Sequence, residues 1–292
     1  MAKNPLFLLL FASCLSFFPG GPRAQEKKKP SKPEAPAKAE KPGDPRVQAI
    51  AEAMKALASK EIPVHFKIHM KAELPLEDQP LVAEGELWAE GDKKIHYVMV
   101  LKPGHLAPTR QELVVNSKGA WMRFAMGNQV VFFPADLVVR LREIQKNGGG
   151  ALAAPTARNQ IDIISVLRSH GFHLKWLGQK KVGKVVVDEI EGTRQAPGKS
   201  GATMEDPEGK IDRVVLLVGE KDRITRKIEW FAGGKMVRSQ EYLDVTVGKK
   251  IPEEMFQIQL QPGETVVNAL DHPILGPTLK RLLNQGEKTR KV

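Results

Sequence analysis

From Pro63 onward the chain adopts a two-residue hydrophobic repeat and keeps returning to it, and that recurrence constrains the fold more than any other feature. Val64, Phe66, Ile68 and Met70 alternate with His65, Lys67, His69 and Lys71, so an extended segment would be apolar on one side and polar on the other. LVAEGELWAEG, KKIHYVMVLK, TRQELVVNS, GAWMRFAMG and NQVVFFP follow, separated by turn signals at Gly91-Asp92, Pro103-Gly104, Ser117-Lys118-Gly119 and Gly127-Asn128. After Gly171 come FHLKWLGQKKV, KVVVDEIEGTRQ, IDRVVLLVGEKD, RITRKIEWFAGG and KMVRSQEYLDVTVG. In IPEEMFQIQLQPG, Phe256, Ile258 and Leu260 alternate with Gln257, Gln259 and Gln261, which predicts a last strand with its apolar side toward the core. The total is about eleven or twelve hairpin-linked strands, hence one antiparallel sheet in a mainly β, α+β fold.

Helical patterns appear in three places. Asp44-Pro45 suits a helix start, and Val47, Ile50, Ala51, Met54, Leu57 and Ala58 then recur on one face as far as Lys60. Between the two runs of strands, ADLVVRLREIQKN presents Leu137, Val138, Leu141 and Ile144, and NQIDIISVLRSHG presents Ile161, Ile164, Val166 and Leu167. DHPILGPTLKRLLNQG predicts a short terminal helix.

The ends of the chain differ from this body. Lys3, the apolar run Leu6 to Phe18 and the following Pro-Gly break have the layout of a secretory leader, too short to span a bilayer as a stable helix. Two readings of its processing stay open: cleavage near Ala24, or a lipobox-like FASC in which Cys14 would carry a lipid anchor. Cys14 is the only cysteine, so no internal disulfide is available. Residues 25–44, mostly Lys, Pro, Ala and Glu, bury too little apolar surface to order and form an extended linker. The expected organisation is therefore a leader over 1–24, a linker over 25–44, a domain over 45–271, and a helix with a basic tail over 272–292.

The net charge of +11 raises the question of nucleic acid. Residues 1–46 hold nine Lys/Arg against four acidic residues, and residues 272–292 hold five against one, which leaves +2 on the body. A phosphate-tracking footprint belongs on a folded face, so nucleic acid is not the expected partner. Loose attraction of the basic ends to an anionic membrane surface remains compatible with this distribution.

The search for catalytic chemistry is negative. No serine lies in a nucleophile elbow, and Gly148-Gly149-Gly150 follows a helix with no Lys-Ser or Lys-Thr pair after it, so no phosphate loop is indicated. His65 and His69 stand on one predicted strand, roughly 13 Å apart along it, which does not suit a shared metal. His170 and His173 lack accompanying ligands. No enzyme, metal or cofactor is expected. The feature left over is apolar: Trp88, Trp121, Trp176 and Trp230 lie in predicted strands, with Met99, Phe124, Phe132, Phe133 and Phe231 nearby in sequence. Either the sheet curls around a packed interior or it leaves an apolar concavity.

The order of elements resembles the LolA/LolB-like lipoprotein carrier superfamily over roughly residues 45–268. GELWAEGDKKIHYVMVLKPG is similar to a pair of its early strands. In ELVVNSKGAWMRFAMGNQVVFF, a Ser117-Lys118-Gly119 turn precedes an aromatic strand. The segment ITRKIEWFAGGKMVRSQEYLDVTVGKKIPEEMFQIQLQPGETVV resembles the family's ending, with Pro252 to Phe256 as its Pro-x-x-x-Phe. The resemblance implies a strongly curved, unclosed antiparallel sheet with helices covering its concave side, and lipid or lipoprotein acyl chains held in the hollow. It implies a lining of Trp88, Val98, Val100, Trp121, Phe132 and Phe256, and a lid carrying Leu137, Leu141, Ile144, Ile164 and Leu167. His96 stands where the carriers have a gating Arg, and the loop Gln195 to Asp212 is longer than the family suggests.

The expected function is thus a non-catalytic, monomeric, periplasmic or otherwise exported protein holding acyl chains, with an envelope protein as donor or acceptor. Each buried CH₂ of such a chain would contribute about 0.8 kcal/mol. Two alternatives stay open: an envelope sensor or protein-binding module on the same fold, and an envelope enzyme with scattered carboxylates.

Overall fold

Asp44 starts the first element in the computed structural model, which describes residues 44–73, 79–91, 93–104, 107–124, 128–146, 161–194 and 211–290. Its Oδ1 accepts hydrogen bonds from the backbone N-H groups of Arg46 (2.9 Å) and Val47 (3.4 Å), and Pro45 occupies the first helical turn. Helix α1 (Pro45–Ser59) then buries Val47, Ile50, Ala51 and Met54 along one face, as the periodicity predicts.

The strands are β1 (Pro63–Ala72), β2 (Leu81–Glu90), β3 (Lys94–Pro103), β4 (Thr109–Asn116), β5 (Gly119–Arg123), β6 (Gln129–Pro134), β7 (His173–Val182), β8 (Val185–Thr193), β9 (Arg213–Gly219), β10 (Thr225–Ala232), β11 (Lys235–Val247) and β12 (Thr265–Asn268). Helices α2 (Ala135–Lys146) and α3 (Ile163–Ser169) separate β6 from β7, and α4 (Leu275–Arg290) follows β12. Among the described residues, these twelve strands form one sheet in the order β12-β6-β5-β4-β3-β2-β1-β11-β10-β9-β8-β7. Two meanders, β1 to β6 and β7 to β11, are thus joined side by side through β1 and β11.

The sheet is unclosed, and register shifts bend it. At the joint, His65 faces Thr246 and Lys67 faces Leu243, so Asp244 and Val245 oppose Phe66 alone. Asp244 takes a φ of 51° there, and its carboxylate holds Lys67 Nζ at 2.7 Å. Further shifts lie in β7, next to Leu177, and in β10.

Two expectations are corrected. The sheet is not wholly antiparallel, because β12 pairs with β6 in parallel. Nor do Phe256, Ile258 and Leu260 form a strand. Pro252 leads into a 3₁₀ turn, Glu253–Phe256, that buries Phe256, while Leu260 stays half exposed. The chain from Pro252 to Glu264 crosses the sheet as a strap and reaches the edge at β6 running in that strand's direction, which is why the last pairing is parallel.

Two apolar clusters result. The larger joins α1 and α3 to one face of the sheet, here called the inner face, through Phe66, Ile68, Met70, Leu87, Met99, Leu101, Leu216 and Ile228. The smaller joins Val131, Leu137, Ala269, Leu279 and Leu283 at the β6 end. Among the described residues, no helix is long and apolar enough to cross a membrane.

Candidate functional site

Alternation decides which side chains share the inner face. β1 sends Val64, Phe66, Ile68 and Met70 inward, and its neighbours answer with Leu81, Ala83, Leu87 and Ala89 on β2 and Ile95, Met99 and Leu101 on β3. Met54 of α1 and the partly buried Met122 of β5 join this lining, so four methionines belong to or pack against one apolar cluster. Unbranched thioether side chains refill irregular space at low cost.

Polar groups enter this surface at β11. Tyr242 is buried and meets Phe66 edge-on at 5.1 Å, and its hydroxyl accepts a 2.8 Å hydrogen bond from Gln240 Nε2. Burial pushes the phenol well above the ordinary tyrosine range, against the opposing influence of the Arg238 charge, so it stays protonated. Arg238 donates to Gln240 Oε1 at 3.2 Å, and its guanidinium lies 4.4 Å from the centre of the Trp230 ring. Register places Arg238 opposite Ala72 and Trp230, near the end of β1. An apolar floor with a cation, an amide and a phenol in a row toward one end is suited to a molecule with a long apolar part and a polar or anionic head.

The opposite face carries a transverse row. Successive register pairs put His65, Trp88, His96, Val114, Trp121 and Phe132 side by side across β1 to β6. His65 stacks on Trp88 at 5.0 Å, Trp88 lies 5.2 Å from His96, and Trp121 stacks on Phe132 at 4.8 Å. The strap lies over this row. Asn116 Nδ2 donates to Phe256 O at 2.9 Å, and Lys94 Nζ contacts both the Glu253 carboxylate (2.5 Å) and the Phe256 ring (5.7 Å to its centre).

Under the strap is a buried ionic group. Arg123 binds Glu112 and also reaches Glu264 through Nε (2.7 Å) and Nη2 (2.8 Å), with Gln259 O a further acceptor. His96 Nε2 lies 2.9 Å from Glu112 Oε1. Burial alone would raise the Glu112 pKa, but the His96 hydrogen bond and the Arg123, His96 and Arg110 charges outweigh it and hold the carboxyl below its ordinary value. Glu264 is lowered chiefly by its hydrogen bond to Arg123.

These placements correct the expected lining. Trp88, Val98, Val100, Trp121 and Phe132 alternate away from the inner face, and Phe256 packs with the strap against that same outer side. The residues meant to share a hollow with the helices therefore lie across the sheet from α1 and α3. His96, the expected gate, belongs to the outer ionic group. Of the expected lid, Ile164 and Leu167 on α3 do pack on the inner face. Leu137 and Leu141 on α2 pack at the β6 end of the same face, in the smaller cluster with α4, since its Val131 pairs with the inward Met122; Ile144 lies in α2. Cys14 lies outside the described residues, as does most of the loop after Arg194. The β11 row of Arg238, Gln240 and Tyr242 was not singled out from sequence, although its alternation within RSQEYLD was visible.

A second buried carboxylate ties α1 to the sheet. Asp188 accepts from Arg223 Nη1 (2.7 Å), Arg46 Nη2 (3.2 Å), Trp176 Nε1 (3.1 Å) and Gln179 Nε2 (3.2 Å). Burial works to raise its pKa, and these donors together bring it below the ordinary carboxylate value. Among the described residues, no group of three or more His, Cys, Asp or Glu side chains is placed to hold a metal ion.

Fold and site together define a class: an unclosed, mainly β sheet with helices on one face and an apolar surface beneath them. No family model matches the sequence, and no curated protein matches it. Similar solved structures include an uncharacterized conserved protein from Thermus thermophilus, at 12% identity and TM-score 0.43, covering 76% of this chain and 99% of that one. LprF from Mycobacterium bovis is similar at 9% identity and TM-score 0.41, with 72% and 96% covered. A LolA superfamily protein from Nitrosomonas europaea is similar at 12% identity and TM-score 0.28, with 73% and 97% covered. Overlap this partial carries no argument about a ligand, and the fold class rests on the strand order itself.

Proposed function

We propose that this chain is an exported, non-catalytic binding protein that holds an acyl chain between its inner face and the helices α1 and α3, with the polar head toward Arg238. The observation that carries this is the methionine-rich inner lining running to the Arg238, Gln240 and Tyr242 row. The apolar part would bind by removal from water, at about 0.8 kcal/mol per CH₂, and Arg238 would favour a carboxylate or phosphate head. Entry requires α1 or α3 to lift, because the lining side chains fill the space between them.

The experiment is native mass spectrometry of the full chain before and after organic extraction, with titration of the extracted protein by a dansylated undecanoic acid. A lipid-sized adduct that extraction removes, and micromolar probe binding weakened several-fold by Arg238→Gln, is the expected result. Absence of an adduct together with no saturable probe binding would overturn the proposal.

A further inference from the structure

The hairpin joining β7 and β8 stands apart from the rest of the sheet. Every residue from Gln179 to Val186 is exposed, whereas Val187, Asp188 and Ile190 on the same strand are fully buried. In a sheet, exposure of consecutive residues means that neither face is covered, so this tip extends beyond the body of the domain. Gly183 turns it, with a φ of 59° and open space where a Cβ would stand.

The composition of the tip is unusual for a solvated turn. Val182, Val185 and Val186 are 44%, 38% and 40% exposed, and Lys180, Lys181 and Lys184 stand among them. Val182 pairs with Val185, and Lys181 with Val186, so valines show on both faces. Lysines on an edge strand are accounted for by the need to prevent edge-to-edge pairing, but that need does not account for exposed valines beside them. Of the three lysines, Lys180 binds Glu189 at 2.6 Å, and Lys181 and Lys184 extend the positive charge at the turn.

A second observation orients this tip. Asp44 Oδ2 accepts a 2.9 Å hydrogen bond from the Trp176 backbone N-H on β7, so the chain preceding α1 joins the domain at this strand. Trp176 and Val182 are ~20 Å apart along β7. Residues 25–43, which would follow the leader, carry six Lys/Arg against three acidic residues. In sequence this basic stretch immediately precedes Asp44, which is bonded to the strand that carries the tip.

We propose that the β7–β8 hairpin docks the domain on an anionic lipid bilayer. Val182, Val185 and Val186 enter the headgroup boundary, and Lys181 and Lys184 contact the anionic lipid heads. Apolar tips flanked by cations gain both from leaving water and from the negative surface potential. This docking is separate from acyl-chain binding, since the tip lies outside the inner face.

The test is co-sedimentation of the full chain with vesicles of phosphatidylcholine containing 30% phosphatidylglycerol, and with pure phosphatidylcholine, at several salt concentrations. Replacing all three valines (V182S/V185S/V186S) leaves the charge unchanged and should weaken binding to anionic vesicles about tenfold. K181Q/K184Q should weaken it about thirtyfold and flatten its salt dependence. Binding of both variants equal to that of the unaltered chain would mean that the basic N-terminal segment alone adsorbs, and would overturn the proposal. So would vesicle-free dimerisation that the serine variant abolishes, since the valines would then belong to a second copy. Acyl-probe titration of the same variants should be unchanged, which separates failure of docking from failure of the binding function.

Discussion

Replacing Asp188 by Ala removes the acceptor that four donors from three parts of the fold share. Arg46 comes from α1, Trp176 and Gln179 from β7, and Arg223 from the turn after β9, so one carboxylate holds the helix start, the edge strand and that turn together. The side chain is fully buried, whereas Arg46 keeps 41% of its side-chain surface in water and Arg223 keeps 24%. Breaking a buried ion pair from one side costs about 3–5 kcal/mol. The lower end applies here, because both arginines can turn toward solvent when the carboxylate is gone. A loss of about 3 kcal/mol in a domain of this size lowers the melting temperature by roughly 6–12 °C. The assay is urea unfolding followed by near-ultraviolet circular dichroism, which senses Trp176, with the midpoint converted to free energy at a fixed m-value. Asp188→Asn, which keeps the volume and one acceptor, should lose less than Asp188→Ala. A loss under about 1 kcal/mol for the alanine variant, with m unchanged, would refute the claim that this carboxylate organises the α1 end.

Three other perturbations follow from the same geometry. Acid should destabilise the protein in a defined window: Asp188 and Glu112 have folded pKa values below their ordinary ones, so their contribution is present above about pH 4–5 and is lost as pH falls through the folded values. Unfolding free energies from pH 7 down to 2 should show this limb, and Asp188→Asn should shorten it. Phe256→Ala empties the site where the strap enters the outer face and should cost about 3–5 kcal/mol, measured by thermal unfolding; a loss below about 1 kcal/mol would mean that the strap contributes little. Gly85→Ala would place a Cβ 2.1 Å from the Val98 carbonyl oxygen across the β2–β3 pair, so soluble yield and melting temperature should both fall, and an unaffected variant would contradict that close approach.

The strand pattern was legible because burial enforces it. Phe66 and Ile68 face the core on β1, and any other register would turn them into water. Trp88 shows where this reasoning misled. On β2 the inward positions are Leu81, Ala83, Gly85, Leu87 and Ala89, three of them small, while the large aromatic stands on the outer side between His65 and His96. Size was a poorer guide to the inner face than parity with Leu87. Phe256 misled differently. Its alternation with Ile258 and Leu260 is genuine, but an alternating segment becomes a strand only beside a free edge, and the β6 edge is taken by Thr265–Asn268. The ionic groups were harder to read: Glu112 and Arg123 are a cross-strand pair of the β4–β5 hairpin, but Glu264 reaches them only through the strap, and Asp188 looks like one more surface acid in VVVDEIEG.

The seam between β1 and β11 also sets an order of assembly. The first meander can form from nearby hairpins as soon as β6 is made, yet β1 waits for residues up to Val247 before its second edge is paired, and β6 waits for Thr265–Asn268. Until then both edges of that six-stranded unit display unpaired backbone groups, so a growing chain passes through a stage open to strand exchange with its neighbours. Pairings this distant in sequence also form slowly. Loss of the last few dozen residues would therefore remove β12 and reopen one flank of a sheet whose set of hairpins was otherwise complete.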